Sequence, residues 1–347
     1  RSPSRGLGDV YKRQLDALSV VTPIRSDHID PKRDTVFYFA GVPGVCGVEF
    51  PEVCGALPFN IVGLNCMQLI MRLGLSATMD HLASHLATTI NALQATGPLR
   101  LMGFSWGACV VVATAQILED QGREVAKLVM VEPFQRVIID LRLVPLLAQL
   151  WIRALVPVPP LISKMHAFIK GQGADVPPLT SLNDAWMGAL ACHATLKQQD
   201  STLRCETLCV VSTFRAAASN YELAENCLQV LWPPPDQPLP WYEKLRKWVV
   251  LSLVAPGTPV TRQCQRCTEV IAPGDHFFML DPSKARPALA KIAEFFENEP
   301  SRSNNRDVKT EDPAVKVIST SDPKRRYNPV FTCLSRVTKG NNSIFRD

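Results

Sequence analysis

The order of apolar and polar positions predicts strands that alternate with helices. Between residues 35 and 131, short runs of β-branched, aromatic and aliphatic residues alternate with longer segments of helical period. The predicted strands are 36–39, 61–64, 99–102 and 127–131, and the predicted helices are 77–93 and 108–119. This alternation predicts an α/β fold, with a mostly parallel sheet covered by helices.

The alternation is interrupted after residue 134. Apolar stretches of helical character at about 140–155, 160–170 and 181–198 predict an inserted helical lid at about 135–202. The sheet resumes with predicted strands at 207–211 and 269–271, and an amphipathic helix follows at 285–296.

Both ends of the chain lack a hydrophobic period. Residues 1–34 are expected to be a disordered leader and polar linker, of which 1–14 resembles a sequence-assembly artefact rather than native chain. Residues 301–347 are polar and are expected to be disordered, because they offer too little apolar surface to offset the entropy of ordering. The predicted domain is therefore 35–300.

Charge and composition exclude several classes of protein. The net charge of the 347 residues is +5, but residues 1–14 carry +3 and residues 301–347 carry +5, which leaves the segment between them at −3. A basic surface for nucleic acid is therefore not expected. No apolar run approaches the roughly 20 residues of a membrane span, and the first residues lack a signal-peptide core.

The cysteines favour a cytoplasmic location. Eleven cysteines are scattered along the chain, several inside apolar runs, as expected for reduced and buried thiols. Cys264 and Cys267 form a C-x-x-C pair, for which a metal or redox role stays open against two ordinary loop thiols. No metal site is expected, since zinc usually needs four ligands.

Gly103-Phe104-Ser105-Trp106-Gly107 is the most informative motif in the chain. A G-x-S-x-G sequence between a strand and a helix is typical of a nucleophile elbow, where a sharp turn exposes the serine hydroxyl. The glycines give the neighbouring backbone room, and the helix start directs N–H groups toward the site. Ser105 is therefore the predicted nucleophile, with a chance serine in a tight turn as the alternative.

A serine nucleophile needs a base, which should follow the acid in an α/β sheet of this type. His276 lies in a turn after the last predicted strand and is the predicted base, against a packed loop histidine. His81 and His85 precede Ser105 and lie four residues apart on one predicted helix. They fit a half-buried or solvated helix face better than a metal pair, because a third ligand is missing.

The identity of the acid is less constrained than that of the base. Glu132 directly follows the strand at 127–131, at the sheet edge where site loops gather, and it is the favoured acid. Asp140 stays open as the alternative acid, although it falls in a predicted lid helix where N-capping is the simpler role. Asp275 is interpreted as structural, and no carboxylate directly follows the strand at 207–211.

The remaining site predictions concern the oxyanion and the acyl chain. The backbone N–H groups of Trp106 and Val42 are the predicted oxyanion donors. Large apolar lid residues are candidates for an acyl groove, with a cap packed on itself as the alternative. They include Leu147, Trp151, Phe168 and Trp186. Each buried CH₂ contributes about 0.8 kcal/mol, so groove depth would select chain length.

Three collinear stretches resemble a known family. PFNIVGLNC (58–66), ATMDHLASHLATTINALQATGPLRLMGFSWGACV (77–110) and VIAPGDHFFML (270–280) are similar to the thioesterase domain of animal type I fatty acid synthase, and of related polyketide and non-ribosomal peptide synthases. The resemblance runs from about Val36 to Phe296 and implies an α/β-hydrolase core with a helical lid. This chain departs from the family with Glu132 in place of an aspartate, and with Ala40-Gly41 in place of His-Pro.

The resemblance implies hydrolysis of the thioester that joins a fatty acyl chain to the phosphopantetheine arm of acyl carrier protein. Acyl carrier protein would be the partner, no cofactor is expected in the enzyme itself, and the linker at 15–34 is compatible with a tether to a megasynthase. Two alternatives stay open: an oxygen-ester hydrolase of the carboxylesterase or lipase type, and a non-catalytic acyl-binding domain.

Overall fold

The computed structural model describes the sheet and the helices packed on it, but not the whole chain. The described residues are 21–23, 30, 32–41, 57–66, 69–70, 73, 76–133, 188–189, 192, 195, 202–213, 260–274, 282–298 and 316–319. Their strands are β1 (Val21–Pro23), β2 (Thr35–Phe39), β3 (Asn60–Leu64), β4 (Leu99–Phe104), β5 (Val125–Val131), β6 (Leu203–Ser212), β7 (Cys264–Ala272) and β8 (Lys316–Ser319). Their helices are α1 (Met79–Leu93), α2 (Trp106–Asp120) and α3 (Pro282–Glu297), and a 3₁₀ turn at Val260–Gln263 precedes β7.

All eight described strands form one sheet, in the order β1-β3-β2-β4-β5-β6-β7-β8. The strands from β2 to β7 are parallel, whereas β1 pairs with β3 and β8 pairs with β7 in antiparallel fashion. The chain runs outward from β2 to β3 and then returns to β4 on the other side of β2. The carboxyl ends of β2 and β4 therefore lie at a reversal of strand order, where open α/β sheets form their ligand crevices.

Alternating side chains of the strands fill two apolar layers. In β2, Phe37 and Phe39 face one layer, which contains the buried faces of α1 and α2. Val36 and Tyr38 face the opposite layer, which is closed by α3. Because both faces are covered, the central strands are apolar along most of their length, as buried parallel sheets require.

The start of α1 is capped from two directions. Thr78 is the N-cap residue, and its hydroxyl accepts a hydrogen bond from His81 N at 3.2 Å. The hydroxyl of Thr195 accepts from Met79 N at 2.7 Å. Thr195 belongs to the segment that the sequence predicts as lid, and Cys192 in the same segment is buried against the layer of α1 and α2. Among the described residues of this segment, Ala189 and Cys192 thus pack in the core, and Thr195 bonds the start of α1.

The α/β architecture predicted from the sequence is confirmed. Every strand and helix predicted between residues 35 and 131 is present, with ends within two residues of the prediction. The strands β6 and β7 begin earlier than predicted. Polar side chains such as Arg204 and Arg266 interrupt the apolar run there, but both side chains are exposed and so cost the strands nothing.

Two short strands differ from the predicted disorder of the chain ends. The strand β1 pairs Val21 with Leu64, and β8 pairs Val317 with Val270. The linker is also held at Asn60, whose side chain accepts from Asp30 N and donates to main-chain oxygens of the linker. Edge pairing uses main-chain groups, which a search for hydrophobic period does not detect.

No helix among the described residues is both long and apolar enough to cross a membrane.

Candidate active site

Ser105 lies on the turn between β4 and α2 in a conformation that disfavours any residue with a Cβ. Its φ is 54° and its ψ is −119°. Its main-chain N–H donates to Val131 O at 2.8 Å, and its carbonyl accepts from Ala108 N at 3.1 Å. This strained strand–turn–helix geometry is that of a nucleophile elbow.

The two glycines of the motif are required by contact rather than by flexibility. A Cβ at Gly103 would overlap the main-chain oxygen of Gly107. A Cβ at Gly107 would overlap the main-chain oxygens of Phe39 and Ala40. Gly103 thus allows the turn to fold on itself, and Gly107 allows α2 to start against the carboxyl end of β2. The same contacts bring the start of α2, directly after Ser105, next to Phe39 and Ala40.

Of the two predicted oxyanion donors, Trp106 is among the described residues. Trp106 is the first residue of α2, so helix geometry supplies no intrahelical acceptor for its N–H. Ala40 and Gly41, which lead into the predicted oxyanion turn, are buried, and Ala40 lies beside the start of α2. Val42, the second predicted donor, lies outside the described residues.

Glu132 occupies the position after β5 that corresponds to Ser105 after β4. Phe104 and Val131 are paired across the two strands, and Glu132 directly follows Val131. Its side chain is fully buried, and its φ is 49°. Its main-chain N–H donates to Val210 O at 2.8 Å, and its Oε1 accepts from Ser212 N. A buried carboxylate and a strained backbone at one residue are each costly, and such positions cluster at functional sites.

The described range 260–274 ends at Gly274, two positions before the predicted base. His276 lies outside the described residues, as do Asp140 and Asp275. Gly274 is described: its φ is 120°, and both its N–H and its carbonyl bond the hydroxyl of Thr213 at 3.2 Å. The β6–β7 pairing ends at Ala272, so this turn lies at the same sheet edge as Glu132. Two peptide units span at most about 7 Å, which limits how far His276 can lie from Gly274.

The candidate acyl-groove residues also fall outside the described part of the chain. These are Leu147, Trp151, Phe168 and Trp186. The acyl groove therefore stays a prediction.

Two residues that the sequence reasoning missed lie at this edge. Ser212 is the last residue of β6, and it bonds Glu132. Thr213 follows it and bonds Gly274. Neither residue is a carboxylate, which is the residue type expected for an acid after this strand. Hydroxyl residues at the carboxyl end of a parallel strand were the available signal.

The histidines and cysteines proposed as alternatives do not form a metal site in the described structure. Within the described ranges, no group of three or more His, Cys, Asp or Glu side chains could hold a metal ion. His81 is exposed and His85 is half-buried on α1, as the helix-face interpretation predicts.

The C-x-x-C pair consists of free thiols at the opposite end of the sheet from Ser105. Burial raises the pKa of the Cys264 thiol to about 11 and raises the pKa of the Cys267 thiol further. The thiolate is the form that binds metals and exchanges disulfides, and it is scarce at neutral pH with such a pKa. This favours two thiols without a redox or metal role, but they lie in the strand β7, so their predicted placement in a loop is wrong.

Comparison with known proteins finds a match to a thioesterase family model over part of this chain. Residues 35–138, which include Ser105 and Glu132, match the family model described as Thioesterase domain. A dimodular nonribosomal peptide synthase of Bacillus subtilis (strain 168) is 30% identical over 125 residues. That alignment covers 34% of this chain and 5% of the synthase.

Solved thioesterase structures match this chain at low sequence identity. The thioesterase domain SrfTE, which cyclizes the lipopeptide antibiotic surfactin, has a TM-score of 0.48 and 18% identity, with 82% of this chain and 98% of that chain covered. RedJ, a thioesterase of the prodiginine pathway in Streptomyces coelicolor, has a TM-score of 0.45 and 18% identity, with 75% and 89% covered. The assignment of an α/β-hydrolase fold rests on the strand order and the serine turn described above. The narrower resemblance to animal fatty acid synthase stays a prediction.

Proposed function

We propose that this chain is a serine thioesterase that hydrolyses fatty acyl thioesters carried by acyl carrier protein. The observation that carries the proposal is the strained turn at Ser105, inside a region that matches the thioesterase domain family. The catalytic unit would be residues 35–300, with the lid at about 135–202, working in the cytoplasm without a cofactor of its own.

In the first half of the proposed reaction, the Ser105 hydroxyl attacks the thioester carbonyl carbon while His276 accepts its proton. The N–H groups of Trp106 and Val42 bind the resulting oxyanion. The intermediate collapses with cleavage of the carbon–sulfur bond, and the leaving thiolate takes the proton from His276. The products are the free phosphopantetheine thiol and an acyl ester on Ser105.

In the second half, His276 takes a proton from water, which attacks the acyl ester. Collapse of the second oxyanion intermediate releases the fatty acid and returns the proton to Ser105. Glu132 holds the imidazole and stabilises its charged form. The hydrogen bond from Ser212 N to Glu132 supports this role, because it holds a side chain one methylene longer than aspartate at the sheet edge.

Peptidyl or polyketide thioesters on a carrier protein are the second candidate substrate class. The 30% identity to a segment of a nonribosomal peptide synthase favours this class. The apolar lid residues Leu147, Trp151, Phe168 and Trp186 favour a fatty acyl chain instead. A series of carrier-bound acyl groups of increasing length, with a carrier-bound peptide for comparison, would separate the two classes.

The experiment compares wild type, Ser105→Ala and Ser84→Ala on acyl carrier protein loaded with a fatty acyl chain. Ser84 is an exposed serine of α1 and serves as the matched control. We expect wild type and Ser84→Ala to release free acid at equal rates, and Ser105→Ala to lose at least about 10⁴-fold in kcat. Intact mass should show an acyl group on wild type that is absent from Ser105→Ala.

Unchanged turnover by Ser105→Ala would reject the proposal. Faster hydrolysis of nitrophenyl esters than of acyl thioesters would favour the oxygen-ester hydrolase. Failure of a fluorophosphonate probe to label Ser105, together with tight acyl binding, would favour the non-catalytic binding domain.

A further inference from the structure

Consecutive residues at the end of β6 hold two different parts of the proposed site. Ser212 donates its main-chain N–H to Oε1 of Glu132. The hydroxyl of Thr213 donates to Gly274 O and accepts from Gly274 N, both at 3.2 Å. Glu132, the proposed acid, and the turn at Gly274 that leads to His276 are therefore hydrogen-bonded to two consecutive residues.

The hydroxyl of Thr213 bonds the chain directly beyond the point where the pairing of β6 and β7 ends. The last register pair of β6 and β7 is Ser212 with Ala272. The residue after β7 is Pro273, which has no N–H to donate to a further step of the ladder. A hydroxyl carries both a donor and acceptor lone pairs, so one side chain satisfies both main-chain groups of Gly274.

We propose that Thr213 is a positioning residue: its hydroxyl fixes the Gly274 turn against the strand end that also holds Glu132. This proposal rests on the proposed function, because it assigns Thr213 the task of setting the distance between the acid and the chain that carries His276. A shift of about 1 Å between reacting groups can lower a rate by about 100-fold, so an anchor of this kind bears directly on turnover.

The first experiment compares Thr213→Val with Thr213→Ser. Valine keeps the shape of threonine and removes the donor and the acceptor, whereas serine keeps both. We expect Thr213→Val to lower kcat by about 10- to 100-fold with little change in KM, and Thr213→Ser to restore most of kcat. Thr88→Val is the matched control, because Thr88 is an exposed threonine of α1 whose hydroxyl donates to Ser84 O far from this edge.

The second experiment perturbs the other partner of the contact. Gly274→Ala places a Cβ on a residue with φ of 120°, which disfavours side chains. Gly122→Ala is the matched control, because Gly122 has φ of 77° and an added Cβ would meet no atom within 4 Å. We expect both variants to lose stability and only Gly274→Ala to lose kcat.

Activity is expressed per active site, by titration with a fluorophosphonate, so that loss of folded protein is not mistaken for loss of positioning. The positioning role is overturned if Thr213→Val keeps the wild-type kcat, if Thr213→Ser fails to rescue it, or if Gly122→Ala loses as much kcat as Gly274→Ala. If wild type is active and depends on Ser105 while Thr213→Val matches it, only the positioning role falls. If wild type is inactive or Ser105→Ala is unaffected, both proposals fall.

Discussion

The two ends of β6 each receive a buried glutamate. At the amino end, Glu119 of α2 accepts from Arg204 N and Cys205 N, both at 3.0 Å, and pairs with Arg204 Nε at 3.4 Å. At the carboxyl end, Glu132 accepts from Ser212 N. Both carboxylates accept hydrogen bonds from main-chain N–H groups of one strand. This contact alone therefore does not distinguish a structural role from a functional role.

The two ends of β6 differ in the backbone conformation of the residues around them. Glu119 lies within the regular helix α2. At the amino edge of the sheet, the positive φ angles belong to glycines, 84° at Gly97 and 77° at Gly122. Among the described residues, the non-glycine positions with positive φ are Ser105 and Glu132, both at the opposite edge. A left-handed conformation costs a side-chain-bearing residue about 1–2 kcal/mol. The carboxyl edge, where Gly274 also has a positive φ, thus differs by having two residues with side chains in this conformation, and such strain clusters at functional sites.

The largest expected effect separates the two glutamates. Glu132→Gln keeps the shape of the side chain and an oxygen for Ser212 N, but it removes the charge that would stabilise the imidazolium. We expect kcat to fall by about 10³- to 10⁴-fold. Glu119→Gln should leave kcat unchanged and lower the free energy of unfolding by about 1–3 kcal/mol, because its charge-assisted hydrogen bonds weaken. Thioester turnover and urea unfolding measure the two quantities.

A Glu132→Gln variant with wild-type kcat would mean that the acid is elsewhere. Asp140→Asn would then be the next variant to measure, since Asp140 is the alternative acid.

The next effect concerns the thiols at the Glu119 side of the sheet. Burial raises the pKa of Cys264 from 9.0 to about 11. At pH 8 the folded protein should therefore react with iodoacetamide at Cys264 about 100-fold more slowly than the same cysteine does in urea. Peptide mass mapping after timed alkylation measures both rates. Equal rates in the folded and unfolded protein would reopen a redox or metal role for Cys264.

The same raised pKa predicts how stability depends on pH. Above about pH 9 an unfolded chain releases the Cys264 proton, while the folded protein keeps it until about pH 11. The folded state then binds more protons than the unfolded state, so stability falls as the pH rises through this window. Melting temperatures across that range should show a smaller loss for Cys264→Ala than for wild type.

The smallest expected effect tests the strain itself. Ser105→Gly and Ser105→Ala both lack the nucleophile, but glycine adopts the backbone angles of this turn without the clash of a Cβ. We expect Ser105→Gly to be more stable than Ser105→Ala by about 1 kcal/mol. At the other edge, Gly122→Ala should lower stability by a similar amount and leave kcat unchanged. Equal stabilities of the two Ser105 variants would show that the turn stores little strain.

Much of the scaffold around the serine was predictable. The strand before Ser105 and the helix after it follow from runs of apolar residues whose period matches their structure, and both are confirmed at β4 and α2. The added strands β1 and β8 were not predictable, because their pairing depends on main-chain groups that every residue but proline offers. The contacts of Ser212 and Thr213 were missed for a related reason, since one is made by a backbone N–H and the other by a common hydroxyl.

By itself the sequence determined the α/β class, the elbow motif and the order in which Ser105, Glu132 and His276 follow one another, because local period and turn chemistry are written in neighbouring residues. Only the tertiary structure decided that Glu132 reaches the end of β6 and that Thr213 holds Gly274. These contacts join residues about 60 to 80 positions apart in the chain. Such pairs meet only after parallel strands have been set side by side, and no local pattern encodes that meeting.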